Sequence, residues 1–592
     1  MMFYIILKFI FLLIHEAYCC IVIFYISYEK IGMEKIPMEN RNVQIGIVVV
    51  VIIIAAGLWY YTSQPGPSPS PSPSPSPSPS PSPTPGHDGI AHYTVAFPTS
   101  MDPTVRTDFS STRAQTHVYD TLVYPDYDSV IQPSVADSWT ISDDGLTYTF
   151  TLKEGLLFHD STEIKAEDVE FSMNRLLDTG GGWASNFLPY VDSVEVLDEY
   201  VVEFKLKGAY SPFLWTLTRL HILNKDLVMD NLVTPGAYDE YGDYGQGYLT
   251  EHDAGSGPYM VKEFRLEEVL ILELFEDYWG EIRPRAPKEL HQIGTTEPMT
   301  VRTMMSNREL EITDQWQSPE SFAALDEIPG VDVANLMTGG HLRVLLNNQR
   351  APTDDVHFRR ALSYLMDYAT VAELWPGSAQ LKGPVPDSIA GFNPEVEYYT
   401  YSLEKAQEEL QQSVYYDQLD EIELDFWWVS EVPLEELIAI QFASAAQEAG
   451  INVKVTKQPW LACVEASRDK DTCPNAIPMI GSASYPEAGA YFEYYHSRWA
   501  ASNFVWLEDP EIDAIIEDIE STSDKDERFQ KYYDFQDLAL EEAWVIWTLQ
   551  IPEQHAYQTE YMDWPAAEGQ AIPLMGANDR WNLIELYPEL IP

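Results

Sequence analysis

The feature that most constrains the fold is a change of hydrophobic period between residues 132 and 177. From Leu146 to Leu152, apolar and aromatic residues occupy every second position, with threonines between them. This alternation predicts a strand with one buried face. Further along, apolar residues recur at helical spacing at Val169, Met173 and Leu176, which predicts an amphipathic helix. The stretch is therefore scaffold: a strand, a turn and a helix.

The charge of the chain excludes whole classes of partner. The 592 residues include 93 acidic and 35 basic side chains, which gives a formal net charge of −58. Such a surface repels nucleic acid and anionic lipid headgroups, so we expect neither to bind the folded part. A hydrophobic content of 45% is that of a globular protein and allows two to four domains or lobes. The acidity favours solubility in a saline medium; selection for cationic solutes is the alternative.

Motifs that carry covalent chemistry are missing from the sequence. It contains no Gly-x-Ser-x-Gly elbow, no His-Glu-x-x-His zinc helix, no Walker loop and no Gly-x-Gly-x-x-Gly after a strand. The twelve histidines are scattered, and their spacing suggests no ligand set. We therefore expect a protein that is not an enzyme, with no catalytic residue, no cofactor and no metal site.

The N-terminal part has the pattern of a membrane tether. Residues 1–42 form a first segment, within which Met33 and Met38 are each plausible alternative starts, so a mis-assigned beginning is one interpretation of this segment. Residues 43–61 are apolar and end in Trp-Tyr-Tyr, as expected of a transmembrane signal-anchor helix. Residues 62–89 form a Pro/Ser-rich linker that favours polyproline II. We expect an uncleaved anchor that holds the globular part at the outer face of the cell membrane; cleavage near Thr62 is the alternative.

The order of residues over 132–177 says more than their periodicity. The sequence P-S-V-A-D-S-W, then D-D-G-L-T-Y-T-F-T-L-K-E-G-L-L-F-H-D and A-E-D-V-E-F-S, resembles the signature of extracytoplasmic solute-binding proteins of family 5. These are the oligopeptide-, dipeptide- and nickel-binding components of ABC importers. Gly255–Tyr259, Asp277–Gly280 and Asn347–Asp367 resemble further landmarks of the family. Lys165 departs from its pattern, since a small polar helix cap usually precedes Ala-Glu-Asp.

The resemblance implies an α/β, two-lobed, periplasmic-binding-protein-like fold of type II with an extra subdomain in the first lobe. We expect the first lobe to comprise residues 90–125 and 254–339, with a return of the chain at 548–592. The extra subdomain would be residues 126–253, and the second lobe residues 340–547.

The resemblance also places a ligand between the lobes. In peptide-binding relatives an aspartate of the second lobe receives the α-ammonium of the ligand; Ser484 stands at that place here, and Glu487 is the possible substitute. Arg343 could hold a ligand carboxylate, and the tryptophans could be aromatic walls or ordinary core residues. The candidate ligand-binding residues are Trp316, Gln317, His341, Arg343, Trp427, Trp428, Trp460, Ser484, Tyr485 and Glu487.

Two cysteines of the globular part are candidates for a disulfide. Cys463 and Cys473 would close a short loop if that part is extracytoplasmic, because oxidising compartments maintain disulfides. Two cysteines alone fall short of a zinc ligand set.

The expected function is capture of a small solute, an oligopeptide or dipeptide by preference, for delivery to an ABC permease and its ATPase. Capture of an oligosaccharide or a metal chelate by the same fold is the nearest alternative. From other classes, an anchored surface hydrolase and a ligand-sensing receptor partner stay open.

Overall fold

A computed structural model describes residues 89–591, apart from residues 106, 267, 431, 433 and 500–503. The predicted N-terminal segment 1–42, the predicted anchor 43–61 and nearly all of the predicted linker 62–89 lie outside the described residues. Within the described part, no helix combines the length and the apolar character needed to span a bilayer.

Twenty strands form the sheets of the described part of the chain. In chain order they are β1 (Ile90–Val95), β2 (Val123–Pro125), β3 (Ile131–Pro133), β4 (Ala136–Ile141), β5 (Thr147–Leu152), β6 (Val191–Asp198), β7 (Val201–Leu206), β8 (Tyr259–Arg265), β9 (Val269–Leu274), β10 (Glu289–Gly294), β11 (Val331–Leu336), β12 (His341–Leu346), β13 (Ala379–Gln380), β14 (Glu423–Val429), β15 (Asn452–Gln458), β16 (Ala476–Gly481), β17 (Val545–Gln550), β18 (Glu553–Gln558), β19 (Met562–Asp563) and β20 (Glu585–Leu586).

Fifteen α-helices are described. They are α1 (Phe109–Val118), α2 (Ala166–Thr179), α3 (Phe213–Thr216), α4 (Lys225–Asp230), α5 (Gln246–Leu249), α6 (Pro298–Ser306), α7 (Pro319–Asp326), α8 (Val356–Leu365), α9 (Tyr368–Glu373), α10 (Leu403–Leu410), α11 (Leu434–Glu448), α12 (Trp460–Ala466), α13 (Gly489–Phe492), α14 (Pro510–Ser521) and α15 (Lys525–Glu542).

Three sheets organise these elements. The first sheet has the order β1-β10-β9-β8, and β11 pairs with β18 beside it. The second sheet has the order β13-β17-β12-β16-β14-β15. The third sheet, β4-β5-β7-β6, is antiparallel throughout. We call the parts built on these sheets the first lobe, the second lobe and the subdomain.

The chain passes between the lobes at two neighbouring places. β11 belongs to the first lobe and β12 to the second, so residues 337–340 cross between them. β17 lies in the second sheet and β18 pairs with β11, so residues 551–552 cross back. Two adjacent crossings allow a pair of lobes to close on one another about a hinge.

The strand and the helix predicted from the change of period are confirmed. β5 buries Tyr148, Phe150 and Leu152, and its threonines are less buried. Helix α2 buries Val169, Met173 and Leu176 against that sheet in one apolar cluster. The sheet covers one face of the helix, which is the packing that the two periodicities predict.

The structure contradicts the predicted disulfide. No disulfide joins Cys463 to Cys473, and both side chains are fully buried in the apolar core of the second lobe. Burial raises the pKa of the Cys473 thiol to about 12, which keeps it protonated and unreactive. The pair therefore serves as core packing.

Candidate functional site

Glu487 joins the second lobe to the subdomain. Its carboxylate accepts hydrogen bonds from Trp215 Nε1 at 3.2 Å, Arg528 Nε at 2.9 Å and the Tyr532 hydroxyl at 2.6 Å. Trp215 lies on the subdomain, whereas the other three residues lie on the second lobe. Since the carboxylate is buried and engaged on both oxygens, the expected role of Glu487 as receptor of a ligand ammonium does not fit the structure.

Two tyrosine–glutamate contacts extend this junction. The Tyr210 hydroxyl donates to Glu493 Oε1 at 3.3 Å, and the Tyr190 hydroxyl donates to Glu520 Oε1 at 3.3 Å. The two tyrosine rings stack at 3.6 Å between centroids. Burial, and then the nearby Glu520 carboxylate, raises the pKa of Glu493 to about 8. We call the contacts of Trp215, Tyr190 and Tyr210 with the second lobe the seam.

Arg219 is a buried cation with an unusual environment. It ends the 3-10 turn that follows α3, and only 3% of it is exposed. Its Nε donates to the Ser484 carbonyl at 3.3 Å and its Nη1 to the Met575 carbonyl at 3.1 Å. The guanidinium lies 4.6 Å from the ring centroid of Trp183. Arg219 thus touches the subdomain, the second lobe and the C-terminal segment.

No carboxylate among the described residues pairs with Arg219. Its Nη2 has no hydrogen-bond partner there, and no carboxylate contributes to the shift of its pKa. Burial lowers the pKa of Arg219 to about 10, and only Tyr124 opposes this. Burial and the neighbouring Arg219 also lower the pKa of His221 to about 3, so this histidine stays neutral.

A cavity of about 340 Å³ is lined by residues of the first lobe, the subdomain and the C-terminal segment. Tyr124 lines this cavity, and its buried hydroxyl has no hydrogen-bond partner among residues 89–591 as described. Arg580 lines the same cavity, with its guanidinium 5.0 Å from the Tyr124 ring centroid. Asp120 also lines it, but its carboxylate accepts from Trp279 Nε1 at 2.9 Å.

Arg343 and His341 lie on β12, next to the crossing between lobes. The Arg343 guanidinium lies 4.4 Å from the ring centroid of Tyr494. His341 is fully buried, and its Nδ1 contacts the Gly339 carbonyl at 3.2 Å. Burial, and then the Arg343 charge, lowers the pKa of His341 to about 3. Both residues lie on the same strand, and His341 is a neutral core residue.

The other predicted residues are not brought to one place. Trp428 is 3% exposed and packs in the core of the second lobe, so its expected role as a ligand wall is wrong. Trp427 is half-buried and donates its indole N–H to Asp425 at 2.9 Å. Trp316 and Trp460 are 57% and 41% exposed. Gln317 is buried and bonds to Asp314 at 2.8 Å.

Ser484 and Tyr485 belong to the loop after β16. The Ser484 side chain is half-buried, and its carbonyl receives Arg219. Tyr485 is 1% exposed and belongs to the core of the second lobe.

Sequence reasoning missed a second buried arginine. Arg113 on α1 forms an ion pair with Asp579, and its guanidinium lies 4.6 Å from the Tyr93 ring centroid. Burial by itself would raise the pKa of the Asp579 carboxyl. The Arg113 guanidinium outweighs burial and holds this pKa well below its usual range. Neither residue lies in a recognisable motif, and no local signal distinguishes either from a surface charge.

Metal ligands are not grouped in the described part of the chain. No set of three or more histidine, cysteine, aspartate or glutamate side chains there is placed to hold an ion.

Comparison with known proteins decides the family. The model of the bacterial extracellular solute-binding proteins, family 5, middle region, matches residues 130–503. The chain belongs to this family. The resemblance in the sequence and the two-lobed α/β fold of type II are therefore confirmed.

Two curated relatives illustrate the range of the family. The chain is 27% identical over 490 residues to the probable D,D-dipeptide-binding periplasmic protein DdpA of Escherichia coli, covering 78% of this chain and 89% of that one. It is 24% identical over 485 residues to heme-binding protein A of Haemophilus influenzae, covering 76% and 85%.

A solved structure shows the same fold. The periplasmic binding protein DppA from Helicobacter pylori, in complex with peptide STSA, superposes with a TM-score of 0.68 at 22% identity. The superposition covers 84% of this chain and 98% of that one.

Proposed function

We propose that this family 5 protein is the extracytoplasmic solute-binding component of an ABC importer. It captures a peptide-like solute between its lobes and presents it to a permease driven by a separate ATPase. Capture proceeds by closure of the lobes, without bond cleavage. The predicted helix 43–61 tethers the protein to the outer face of the membrane.

The seam is the observation that carries this proposal. Trp215, Tyr190 and Tyr210 reach from the subdomain to carboxylates of the second lobe; the Trp215 contact is buried and the two tyrosine contacts are partly buried. They can form only when the two parts are together, and the neighbouring chain crossings supply a hinge. A protein that works by closing over a solute needs both features.

The peptide class is supported by the relatives. One binds a D,D-dipeptide by its name, and one was solved with a peptide. Within the cleft, Arg343 and the exposed ring of Trp316 stay candidates for contact with the solute.

A thermal-shift screen of the purified full chain in mild detergent tests the class of solute. The panel contains pooled tripeptides, oligosaccharides, heme and a nickel–histidine chelate. A ligand that binds only the folded state raises the melting temperature; at 100 times its Kd it stabilises the folded state by about 2.7 kcal/mol. A rise with peptides alone supports the proposal, and a rise with sugars or chelates alone contradicts the peptide class.

Membrane extraction tests the tether. We expect the full chain to stay in the membrane pellet after alkaline carbonate treatment. The double variant I52D/I53D, in the middle of 43–61, should move to the soluble fraction, since a charge at the bilayer centre costs about 2.5–3.5 kcal/mol. The matched control S68D/S70D lies in the Pro/Ser linker and should stay in the pellet. Release of the parent chain itself would contradict an uncleaved anchor.

A further inference from the structure

Each lobe gathers the carboxyl ends of several strands at one edge of its sheet. In the first lobe, β1 and β10 run parallel, and Ile312 bridges to β1 in parallel as well, so these segments end at the same edge. In the second lobe, β14 runs parallel to both β15 and β16, and these three strands also end at one edge.

The crossings between the lobes join these two edges. The second crossing, residues 551–552, connects Gln550 of β17 with Glu553 of β18. Gln550 pairs with the start of β12, which also pairs with the last residue of β16, so it lies at the edge of the second lobe. β18 runs antiparallel to the Ile312 bridge, so Glu553 lies at the edge of the first lobe.

The two edges therefore face one another. The chain from residue 550 to residue 553 spans at most about 11 Å, which fixes how far apart the edges are at this crossing. The cleft lies between the carboxyl ends of both sets of strands, and this is where open α/β sheets generally bind their ligands.

Two exposed tryptophans lie at these edges, one on each wall of the cleft. Trp316 follows the Ile312 segment, and Trp460 follows β15 as the first residue of α12. All other tryptophans in the described part of the chain are buried or half-buried. Each exposed ring has an aromatic neighbour in its own lobe: Phe109 lies 6.5 Å from Trp316 and Phe504 lies 6.1 Å from Trp460, between centroids.

Hydrogen bonds fix the backbone beneath Trp316. Its N–H donates to Asp314 Oδ1 at 2.8 Å, and the Gln317 side-chain amide donates to the other oxygen of Asp314 at 2.8 Å. The same amide donates to the Thr296 carbonyl, just after β10, at 3.1 Å. The loop is thus tied to two neighbouring strand ends, and the exposed indole is presented from a defined position.

Further exposed apolar side chains follow other strands of the same two edges. Val105 lies in the segment after β1, Met299 in the helix after β10, and Leu437 and Ile440 on one face of the helix after β14. A single exposed apolar residue needs no explanation, but a set of them on facing walls marks a ligand-binding groove.

We propose that Trp316 and Trp460 bind bulky apolar side chains of the solute from opposite walls of the cleft, so that the protein selects peptides rich in aromatic and aliphatic residues. This inference rests on the proposed function and narrows its substrate class. Aromatic rings offer a large apolar contact area, and closure of the lobes removes that area from water together with the side chains it contacts.

A docking face for the permease is the competing explanation of the exposed rings. In that case the tryptophans contact another protein, and their substitution leaves the affinity for solute unchanged. Binding measured on the isolated protein therefore separates the two explanations.

The experiment uses the full chain in mild detergent and two pools of tripeptides with free termini. One pool is built from Leu, Phe, Met and Trp, and the other from Ser, Thr, Asn and Gln, so the pools differ only in their side chains. Calorimetry measures Kd, and thermal unfolding measures the stability of the empty protein. We expect the apolar pool to bind about 10- to 100-fold more tightly, the gain from burying one large apolar side chain.

Variants assign this preference to the two rings. W316A and W460A should each weaken binding of the apolar pool by about 10- to 100-fold, as loss of an aromatic anchor does, and leave the melting temperature of the empty protein unchanged because both rings are exposed. W316F keeps an aromatic ring and should lose less than about 10-fold. The matched controls Y416A and L197A remove exposed apolar side chains before β14 and on β6, away from both edges, and should change neither quantity.

The other outcomes overturn separate claims. If both pools bind equally, or if the polar pool binds better, selection of apolar side chains is wrong and peptide capture stands. If W316A and W460A bind the apolar pool as tightly as the parent, or if the controls weaken binding as much, the assignment to these rings is wrong. If neither pool binds, the proposed peptide class fails, and the inference fails with it.

Discussion

At the scale of single residues, Glu487 is the group whose loss should cost most. Glu487→Ala leaves Arg528 buried without its counter-charge and removes the acceptor of Trp215. We expect the free energy of unfolding to fall by about 3–5 kcal/mol, the usual cost of breaking a buried ion pair. Urea denaturation followed by circular dichroism measures it.

Glu465→Ala is the control for this change. Glu465 and Arg468 form a pair at 3.0 Å, but both side chains are about 70% exposed. Solvent screens such a pair, so its loss should cost less than about 1 kcal/mol. An equal decrease in the free energy of unfolding for both variants would contradict the larger contribution expected of the buried pair.

Glu493 should make stability depend on pH. Its pKa is raised to about 8, first by burial and then by the Glu520 carboxylate, and Arg498 and Tyr210 oppose this. In the unfolded chain the pKa of a glutamate is about 4.3. Between these two pKa values the folded state holds a proton that the unfolded chain has lost. The contribution of Glu493 to stability is therefore fully present below the unfolded pKa and is lost as pH rises toward 8.

Glu493→Gln isolates this contribution. The amide mimics the protonated acid, so the variant should gain stability relative to the parent chain as pH rises from 5 to 8, on the order of 1–3 kcal/mol. Glu435, whose pKa burial also raises to about 8, contributes equally to both proteins and cancels in the difference. Glu448→Gln, at an exposed position, is the control. A difference between variant and parent that does not change with pH would contradict the assignment.

At the scale of elements, the N-terminus of α2 carries a weak cap. Lys165 occupies the capping position without a side-chain hydrogen bond to the first turn, although its backbone N–H donates to the Asp168 carboxylate at 2.9 Å. Lys165→Ser should raise the free energy of unfolding by about 0.5–1 kcal/mol, since a serine can accept from the first turn. The loss of the exposed Lys165–Glu199 pair should subtract little.

The helix α10 allows the opposite change, the removal of a capping serine. Ser402 caps it by accepting from the Lys405 N–H at 3.2 Å. Ser402→Ala should therefore lower the free energy of unfolding by about 1 kcal/mol. Denaturation curves of both variants measure the two effects, and a loss of stability in Lys165→Ser would contradict the weak-cap interpretation.

Elements were predictable where one local pattern determines them. The strand β5 and the helix α2 both follow from the change of hydrophobic period within one short stretch of sequence. Contacts between distant parts were not predictable in this way. Trp215 and Glu487 are 272 positions apart, and no sequence pattern near Glu487 indicates that Trp215 is its partner. The burial of Arg219 likewise depends on three segments that meet only in the folded chain.

At the scale of the whole molecule, the net charge opposes compact packing. The chain carries a formal net charge of −58, so its acidic side chains repel one another in the compact state. Counter-ions relieve this repulsion, because the Debye length falls from about 10 Å at 0.1 M salt to about 3 Å at 1 M.

Stability should accordingly rise with ionic strength. We expect the melting temperature of the full chain to increase steadily between about 0.05 and 0.5 M sodium chloride, since screening weakens the repulsion among its 93 acidic side chains. Choline chloride at the same ionic strength is the control: an equal increase identifies screening, whereas an increase with sodium alone identifies bound cations. A melting temperature that falls with both salts would mean that attractive pairs outweigh the repulsion, and the acidity would then need an explanation other than life in a saline medium.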